Sequence, residues 1–449
     1  MYKRIYAALA VLALVPIWSV HYLPTQDGPS HLYNSWVLHE LVRGADGALV
    51  TWYRIDWRPH PNWLGSAVMA LLMTIVSPVI AEKLFVSAII VLFLAGMWMH
   101  TADEARPYAI MAVPFAYHSL LLAGFYNFSA GVGLYFVTVA VWWRRRTRPD
   151  WRTNTLIATL LVLGYFMHPL PLLLAIMTLL ILGVATRASA KHLLVFLPVL
   201  PLLVWYARTS RGQWRPLHAT ASEIVTYITW TQTLVTVGEL QEWLGGALFV
   251  MLIALMIATI VCRPRSERNV FLLPLLATIV LYTFSPGEFA GGLAIQERIA
   301  LFIPLIPLAW IAPCWRQRVT GTIAVALTVV AIADIGYICV RFRETDREMV
   351  RLVNAADALG SDATVRAFAG GHLKLLHTVS YALIAKRDVD LRNYEAISGY
   401  FPTVLRDASA ARAEYVFTWD TPLPAELARD YHLVSETPPG RTWRLATAR

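Results

Sequence analysis

The run Gln26-Asp27-Gly28-Pro29-Ser30-His31-Leu32-Tyr33-Asn34-Ser35-Trp36 sets a carboxylate and an imidazole four positions apart, directly after the first apolar stretch of the chain. Pro29 and Ser30 open a helix whose apolar positions Leu32, Trp36, Val37 and Leu41 form one face suited to lie in a membrane interface. Asp27 stands just ahead of that helix. An acid there can cap the first helical amides, or it can act at the water-membrane boundary as a general base or a metal ligand. The two roles are compatible. His31 and His60 stand in the first outer loop, and His118 and His168 lie in or at the ends of expected spans, where an ionisable side chain is a functional candidate by default. For His118 and His168 a neutral, hydrogen-bonded packing role is equally open, and Asp334, one turn from the end of the last span, reads as a packing or interfacial acid.

Such residues need elements that hold them at a membrane surface, and the charge pattern provides them. Six Lys and Arg clusters, at Lys3-Arg4, Arg106, Arg144 to Arg152, Arg187 to Lys191, Arg263 to Arg268 and Arg316 to Arg318, alternate with apolar runs so that all can face one side. Cytoplasmic loops carry the Lys and Arg excess, so the acid-bearing and aromatic connections fall outside. With 57% apolar and 15% charged residues and a mean hydropathy of +0.53, a soluble globule would expose more apolar surface than it could bury. The net charge of +9 is topological, with no nucleic-acid partner implied. Cys262, Cys314 and Cys339 are in no metal-binding spacing and suggest no disulfide framework.

The predicted fold class is a polytopic α-helical membrane protein of about eleven transmembrane helices with a small C-terminal α/β extracytoplasmic domain. The first span, from about Tyr6 to Tyr22, has no small-residue cleavage site after it and reads as a retained anchor. The others fall at roughly 84 to 100, 108 to 124, 128 to 143, 154 to 169, 170 to 185, 193 to 208, 244 to 262, 270 to 285, 298 to 313 and 320 to 339. Trp63 to Ile80 would reverse every later loop if it crossed, so it reads as interfacial or re-entrant, bracketed by Pro61 and Pro78. The N-terminus is then inside and the C-terminus outside. The body covers 1–340 with an outer loop at 23–62, and the outer domain covers 341–449. In the latter, strand-like runs (Ala363 to Ala369, Ala413 to Trp419, Thr442 to Ala446) alternate with helix-like ones (Arg347 to Ala358, Leu373 to Ile384). His372 and His377 are five apart, off the spacing of one helical face, and read as solvated.

An acid in the first outer loop beside an amphipathic helix, a His-Pro pair before an interfacial segment, many spans and a trailing outer domain together resemble the C-type membrane glycosyltransferases, which include protein mannosyltransferases and lipid A aminoarabinose transferases. The resemblance covers about residues 1 to 340. It implies an inverting sugar transfer from a polyprenyl-phosphate donor to a glycan, lipid or protein acceptor, on the outer face of a bacterial-type cytoplasmic membrane. Asp27 matches the family's catalytic first-loop acid, although the usual acidic pair is here Asp27-Gly28. His60-Pro61 matches the pair that follows that loop, and Glu297-Arg298 is similar to the basic position that meets the donor phosphate. The departure is the second outer turn, Gly124-Phe125-Tyr126-Asn127-Phe128-Ser129, where relatives commonly carry an acid. Asn127 can orient an acceptor or coordinate through its carbonyl but cannot take a proton, which weakens a metal-dependent mechanism. No cofactor follows, and a divalent metal ion stays open.

A glycosyl phosphate needs cations on its leaving phosphate, for which Arg298, Arg58 and His60 are available, and aromatic faces for the sugar or isoprenoid, for which Trp36, Trp52, Trp57, Trp63 and Tyr126 are available. Those aromatics equally suit a membrane-interface belt, and Arg298 a helix-end arginine paired with Glu297. Nucleotide-binding and zinc-protease motifs are absent, and Gly287 to Gly292 is a glycine-rich linker or gating loop. Two other classes fit the composition: a transporter or flippase for a lipid-linked saccharide, which the scarcity of charge inside spans opposes, and a noncatalytic assembly protein of an envelope polysaccharide pathway.

Overall fold

A computed structural model describes residues 1–148, 150–210, 220–263, 265–289, 292–370, 375–406 and 411–446. The chain is mostly helical with a small C-terminal sheet region, and it forms two compact units.

The first unit comprises Met1–Pro16, Ala88–Leu121 and Asn127–Ile338. Among the described residues, four helices of the chain are long and apolar enough to cross a membrane: Pro78–His100, Leu240–Cys262, Glu267–Phe284 and Gln317–Ala358. The pair Ala190–Phe196 and Leu200–Thr209, bent by 47°, makes a fifth if it is one span. Exposed Val250, Ile253, Ile257, Ile260 on one of these helices and Val325, Val329, Ile332 on another are the surface expected of helices solvated by lipid. The helices Tyr126–Arg145, Trp151–Met167 and Pro169–Ala185 coincide with three of the expected spans.

Four expected spans are not single α-helices: 6 to 22 divides into Tyr2–Leu12 and Val15–Trp18, 193 to 208 is the bent pair above, and two further runs are divided by prolines. Residues 108 to 124 lie in short 3-10 turns, Asp103–Ala112 and Pro114–Tyr117, followed by Ser119–Leu122, and 298 to 313 in Ile295–Ala300 and Ile306–Ala309. Prolines 107 and 114 interrupt the first and prolines 304 and 307 the second, each removing an amide and crowding the preceding turn. Tyr108, Ile110, Phe115, Leu301, Phe302 and Leu305 are all buried, so these apolar runs form protein interior. Apolar content marks both kinds of segment alike.

The second unit comprises Ile17–Ser87, Leu122–Tyr126 and Cys339–Arg449. Trp63–Leu72 is a ten-residue helix, about 15 Å long at 1.5 Å per residue, half a bilayer core. The expected last span and the expected helix at 347–358 are one continuous helix, Gln317–Ala355. A five-stranded sheet follows, in spatial order Val389–Asp390, Thr364–Ala369, Tyr415–Trp419, Gly440–Leu445, Tyr431–Thr437. The first three strands are parallel and the last two antiparallel. Three strands lie where the β-rich runs placed them. Val389–Asp390 is too short to announce itself, and Tyr431–Thr437 is mostly exposed, so it lacks alternation. A second pairing, Tyr53–Ile55 with Thr403–Leu405, joins the first loop to the C-terminal residues in antiparallel register Arg54↔Val404.

The sheet's edge carries a pH-sensitive group. Burial pushes the Asp388 carboxyl up to about 7, although Ala363 N donates to its Oδ1 at 3.0 Å. A raised folded value means the contribution to stability is full below the unfolded value near 4 and is lost as pH climbs toward 7. The thermal midpoint of the protein is therefore expected to fall across that window. Asp388→Asn flattens the slope; an unchanged slope removes Asp388 as its source.

Candidate functional site

Asp27 is held from both sides of its backbone. Gln26 N donates to Leu122 O at 2.9 Å and Asp27 N to Ala123 O at 3.2 Å, which seats the loop on residues 122–126. The approach needs two glycines. Gly124 has φ +89°, and a Cβ there would stand 2.5 Å from Gly28 N and 2.6 Å from Asp27 N. A Cβ on Gly28 would run into the Thr25 and Tyr126 hydroxyls.

The helix that follows is Gly28–Val42, and Gly28 through His39 are all buried. This corrects the interfacial amphipathic helix expected from Leu32, Trp36, Val37 and Leu41: the helix is wrapped by protein, packing on Trp63–Leu72 and Ser380–Lys386. Asp27 occupies the N-cap position, yet its side chain makes no cap hydrogen bond. Instead the carboxylate, 15% exposed, has His377 Nε2 3.7 Å away and accepts from the Tyr394 hydroxyl. Burial and the nearby Glu395 raise the Asp27 carboxyl above the ordinary range, with His31, His377 and Tyr394 pulling the other way. That makes Asp27 a better base than a solvated aspartate.

His31, one turn into the helix, pairs through Nδ1 with Glu395 Oε2 at 3.1 Å, and Glu395 is fully buried. Burial, the largest single effect, disfavours the imidazolium, but Glu395, Asp27 and Glu82 together overcome it, so His31 holds a proton above the usual histidine range. The His31 ring lies 5.7 Å from Tyr126 and 5.5 Å from Phe401 between centroids. Burial drives His377 the other way, toward the neutral form. The site thus sets a basic carboxylate between one imidazole that favours its proton and one that sheds it.

Beneath this lies Glu82, wholly buried near the start of Pro78–His100. It accepts from Tyr126 Oη at 2.8 Å and from Tyr381 Oη at 2.7 Å. Because Tyr126 spends its proton on Glu82, Thr25 must donate to Tyr126 at 2.8 Å, two residues before Asp27. Glu82→Gln offers an acceptor to one tyrosine and an amide to the other. It is expected to cost about 1–2 kcal/mol of stability, read as a lower thermal midpoint; an unchanged midpoint would show the network to be energetically idle.

Arg58 and His60 meet in a second cluster of the same unit. Asp56 takes Arg58 Nε at 2.9 Å and His60 Nε2 at 2.9 Å, and the Arg58 bonds hold its carboxyl far below the ordinary range. Arg58 is 62% exposed. In the first unit, Arg298 is buried with Nη1 2.5 Å from His168 Nε2 and its guanidinium over the Phe128 ring at 5.4 Å. Asn127 is buried too, and Glu297 Oε2 is a buried oxygen with no hydrogen-bond partner. His118 Nδ1 accepts from Leu121 N at 3.2 Å and Asp334 from Gln241 Nε2 at 3.0 Å, both in packing roles.

Asp27, His31 and Tyr126 are therefore brought together as the sequence suggested, while His377, Tyr394, Glu395, Tyr381, Glu82 and Asp56 were not foreseen. His377 corrects the solvated reading; its companion His372 lies outside the described residues, as do residues 290–291 of the glycine-rich stretch. Glu82-Lys83 had a visible signal, since it is a charged pair within the apolar run from Trp63 to Met99. Among the described residues no group of three or more His, Cys, Asp or Glu side chains could hold a metal ion. No family model and no curated protein matches this chain. The functional reading therefore rests on the geometry and on the family resemblance of the sequence.

Proposed function

We propose that the protein is a membrane glycosyltransferase that moves a sugar from a polyprenyl-phosphate donor to a glycan, lipid or protein acceptor on the outer face of the membrane. The supporting observation is the Asp27 carboxylate, which stands at a helix N-cap without capping it and is instead sequestered against His377 and Tyr394 with raised basicity. In this reading Asp27 takes the proton of the acceptor hydroxyl as its oxygen bonds to the anomeric carbon. The bond from that carbon to the phosphate oxygen breaks, and the lipid phosphate leaves with the electron pair, so the anomeric centre inverts. The His31 imidazolium stands beside Asp27 in the same unit, and Arg58 and His60 of that unit are the cations that the family resemblance suggests for the phosphate. The eleven-span topology, N-terminus inside and C-terminal domain outside, belongs to the same proposal.

Transfer of radiolabelled sugar from a panel of polyprenyl-phosphate donors, by the purified protein in nanodiscs, tests it. Turnover with at least one donor, lost in Asp27→Asn with donor binding kept, is the expected result. Failure of the whole panel to bind or react removes the transferase reading and favours a saccharide transporter.

A further inference from the structure

Within the first unit, the C-terminal ends of Pro78–His100 and Tyr126–Arg145 and the start of Glu267–Phe284 surround a cavity of about 160 Å³, lined among others by His100, Thr101, Arg144, Arg146, Glu267 and Arg268. One water needs ~10–15 Å³ of such space, so there is room for roughly ten. The charges are sorted. The Arg146 side chain is 16% exposed and stacks on Trp143 at 3.7 Å, while its partner Glu267, 2.8 Å away, is 72% exposed. Asp103, the other acid on the wall, is 82% exposed and taken by Arg106 at 2.6 Å. Arg268 is anchored by donating from Nη1 to Ala309 O at 2.7 Å, and Arg144 by donating to Met99 O at 3.0 Å. Arg146 and Arg268 are half-buried and Arg144 is exposed, while both carboxylates lie in solvent, where their neutralising effect is screened.

His100 also lines the cavity. It is 4% exposed, with its ring centroid 5.0 Å from Phe136 and 5.7 Å from Phe271. Its Nε2 sits 3.2 Å from Ile306 O. A carbonyl only accepts, so Nε2 carries the proton and Nδ1 is an acceptor. That Nδ1 is buried and has no hydrogen-bond partner, a state that normally costs about 1–3 kcal/mol unless something fills it. The half-buried Arg146 and Arg268 on the cavity wall favour an occupant with negative charge.

We propose that this cavity binds a phosphate group, with Arg146 and Arg268 on the phosphate oxygens. Basic pockets between membrane helices on the cytoplasmic side take anionic head groups in this way, and these arginines belong to the clusters whose distribution assigns them to that side. The glycerol head group of an anionic phospholipid and free phosphate share this chemistry. The site does not depend on the transferase reading.

The test compares the purified protein in phosphatidylglycerol nanodiscs, in phosphatidylcholine nanodiscs, and in phosphatidylcholine nanodiscs with inorganic phosphate, reading the thermal midpoint and the lipid retained by native mass spectrometry. The expected result is a higher midpoint in phosphatidylglycerol and one retained phosphatidylglycerol. Combining Arg146→Gln with Arg268→Gln should weaken retention at least tenfold, and lysine at both positions should keep part of it. A saturable shift from inorganic phosphate without phosphatidylglycerol retention assigns the site to soluble phosphate. Equal behaviour in all three preparations overturns the proposal, as does retention unchanged by the glutamine pair. Should the glutamine pair not fold, the wild-type comparison decides alone.

Discussion

Asp27→Asn is expected to lower sugar transfer by about 10²–10⁴-fold, the usual contribution of a positioned general base, without lowering the thermal midpoint. The two halves of this result separate base from cap. A capping aspartate replaced by asparagine keeps its bond, and one whose cap is lost costs about 1 kcal/mol, but Asp27 makes no cap bond that could be lost. The amide still accepts from Tyr394, so the fold loses little while the proton acceptor disappears. Because burial raises the Asp27 carboxyl, wild-type transfer should climb with pH through a limb above the ordinary aspartate range and level off once the carboxylate is formed. A variant that retains full turnover takes Asp27 out of the mechanism. A pH profile with no such limb does the same.

Gly124→Ala should be the most damaging single methyl group near the site. At φ +89° an alanine pays about 1–2 kcal/mol for left-handed backbone, and its Cβ would meet Gly28 N, Asp27 N and Asp27 C at 2.5, 2.6 and 2.8 Å. None of these is a side-chain tip that can swing aside. Overpacking of this kind costs a further ~1–3 kcal/mol, so a total of about 2–5 kcal/mol is expected. The displaced residue is Asp27 itself, and a misplacement near 1 Å can cost about 10²-fold in rate, so transfer should fall together with stability. Gly44→Ala supplies the control: φ there is +81° but nothing lies within 4 Å of the added atom. It should show the backbone cost and leave transfer intact. Equal effects at the two positions would mean that the loop around residue 124 is not what seats Asp27.

The parts of this architecture visible in the sequence are those governed by local periodicity and composition. Leu240–Cys262 and the apolar half of Gln317–Ala355 are long, uninterrupted and apolar, and three strands of the C-terminal sheet are β-rich runs between turn residues. Where prolines divide an apolar run, as in 103–117, composition does not tell lipid from protein interior as the solvent. Asp27 and Tyr126 drew attention by residue type and neighbourhood alone. Their partners did not, because Tyr381 and Glu395 are ordinary surface-composition residues that become buried only by long-range pairing, and Tyr394 reaches Asp27 while staying exposed. Asn34 shows the same thing: it exchanges side-chain hydrogen bonds of 3.1 and 2.9 Å with Asn393, 359 positions away.

That separation sets a schedule for biosynthesis. A chain emerging from the ribosome can insert its helices in turn, but it cannot complete the surroundings of Asp27 until Tyr381, Tyr394, Glu395 and the strand at Thr403–Leu405 have been translated. Contacts this distant carry the largest loop-closure cost and form late. The Asp27 carboxylate thus acquires its raised basicity only after the residues around position 395 have been translated.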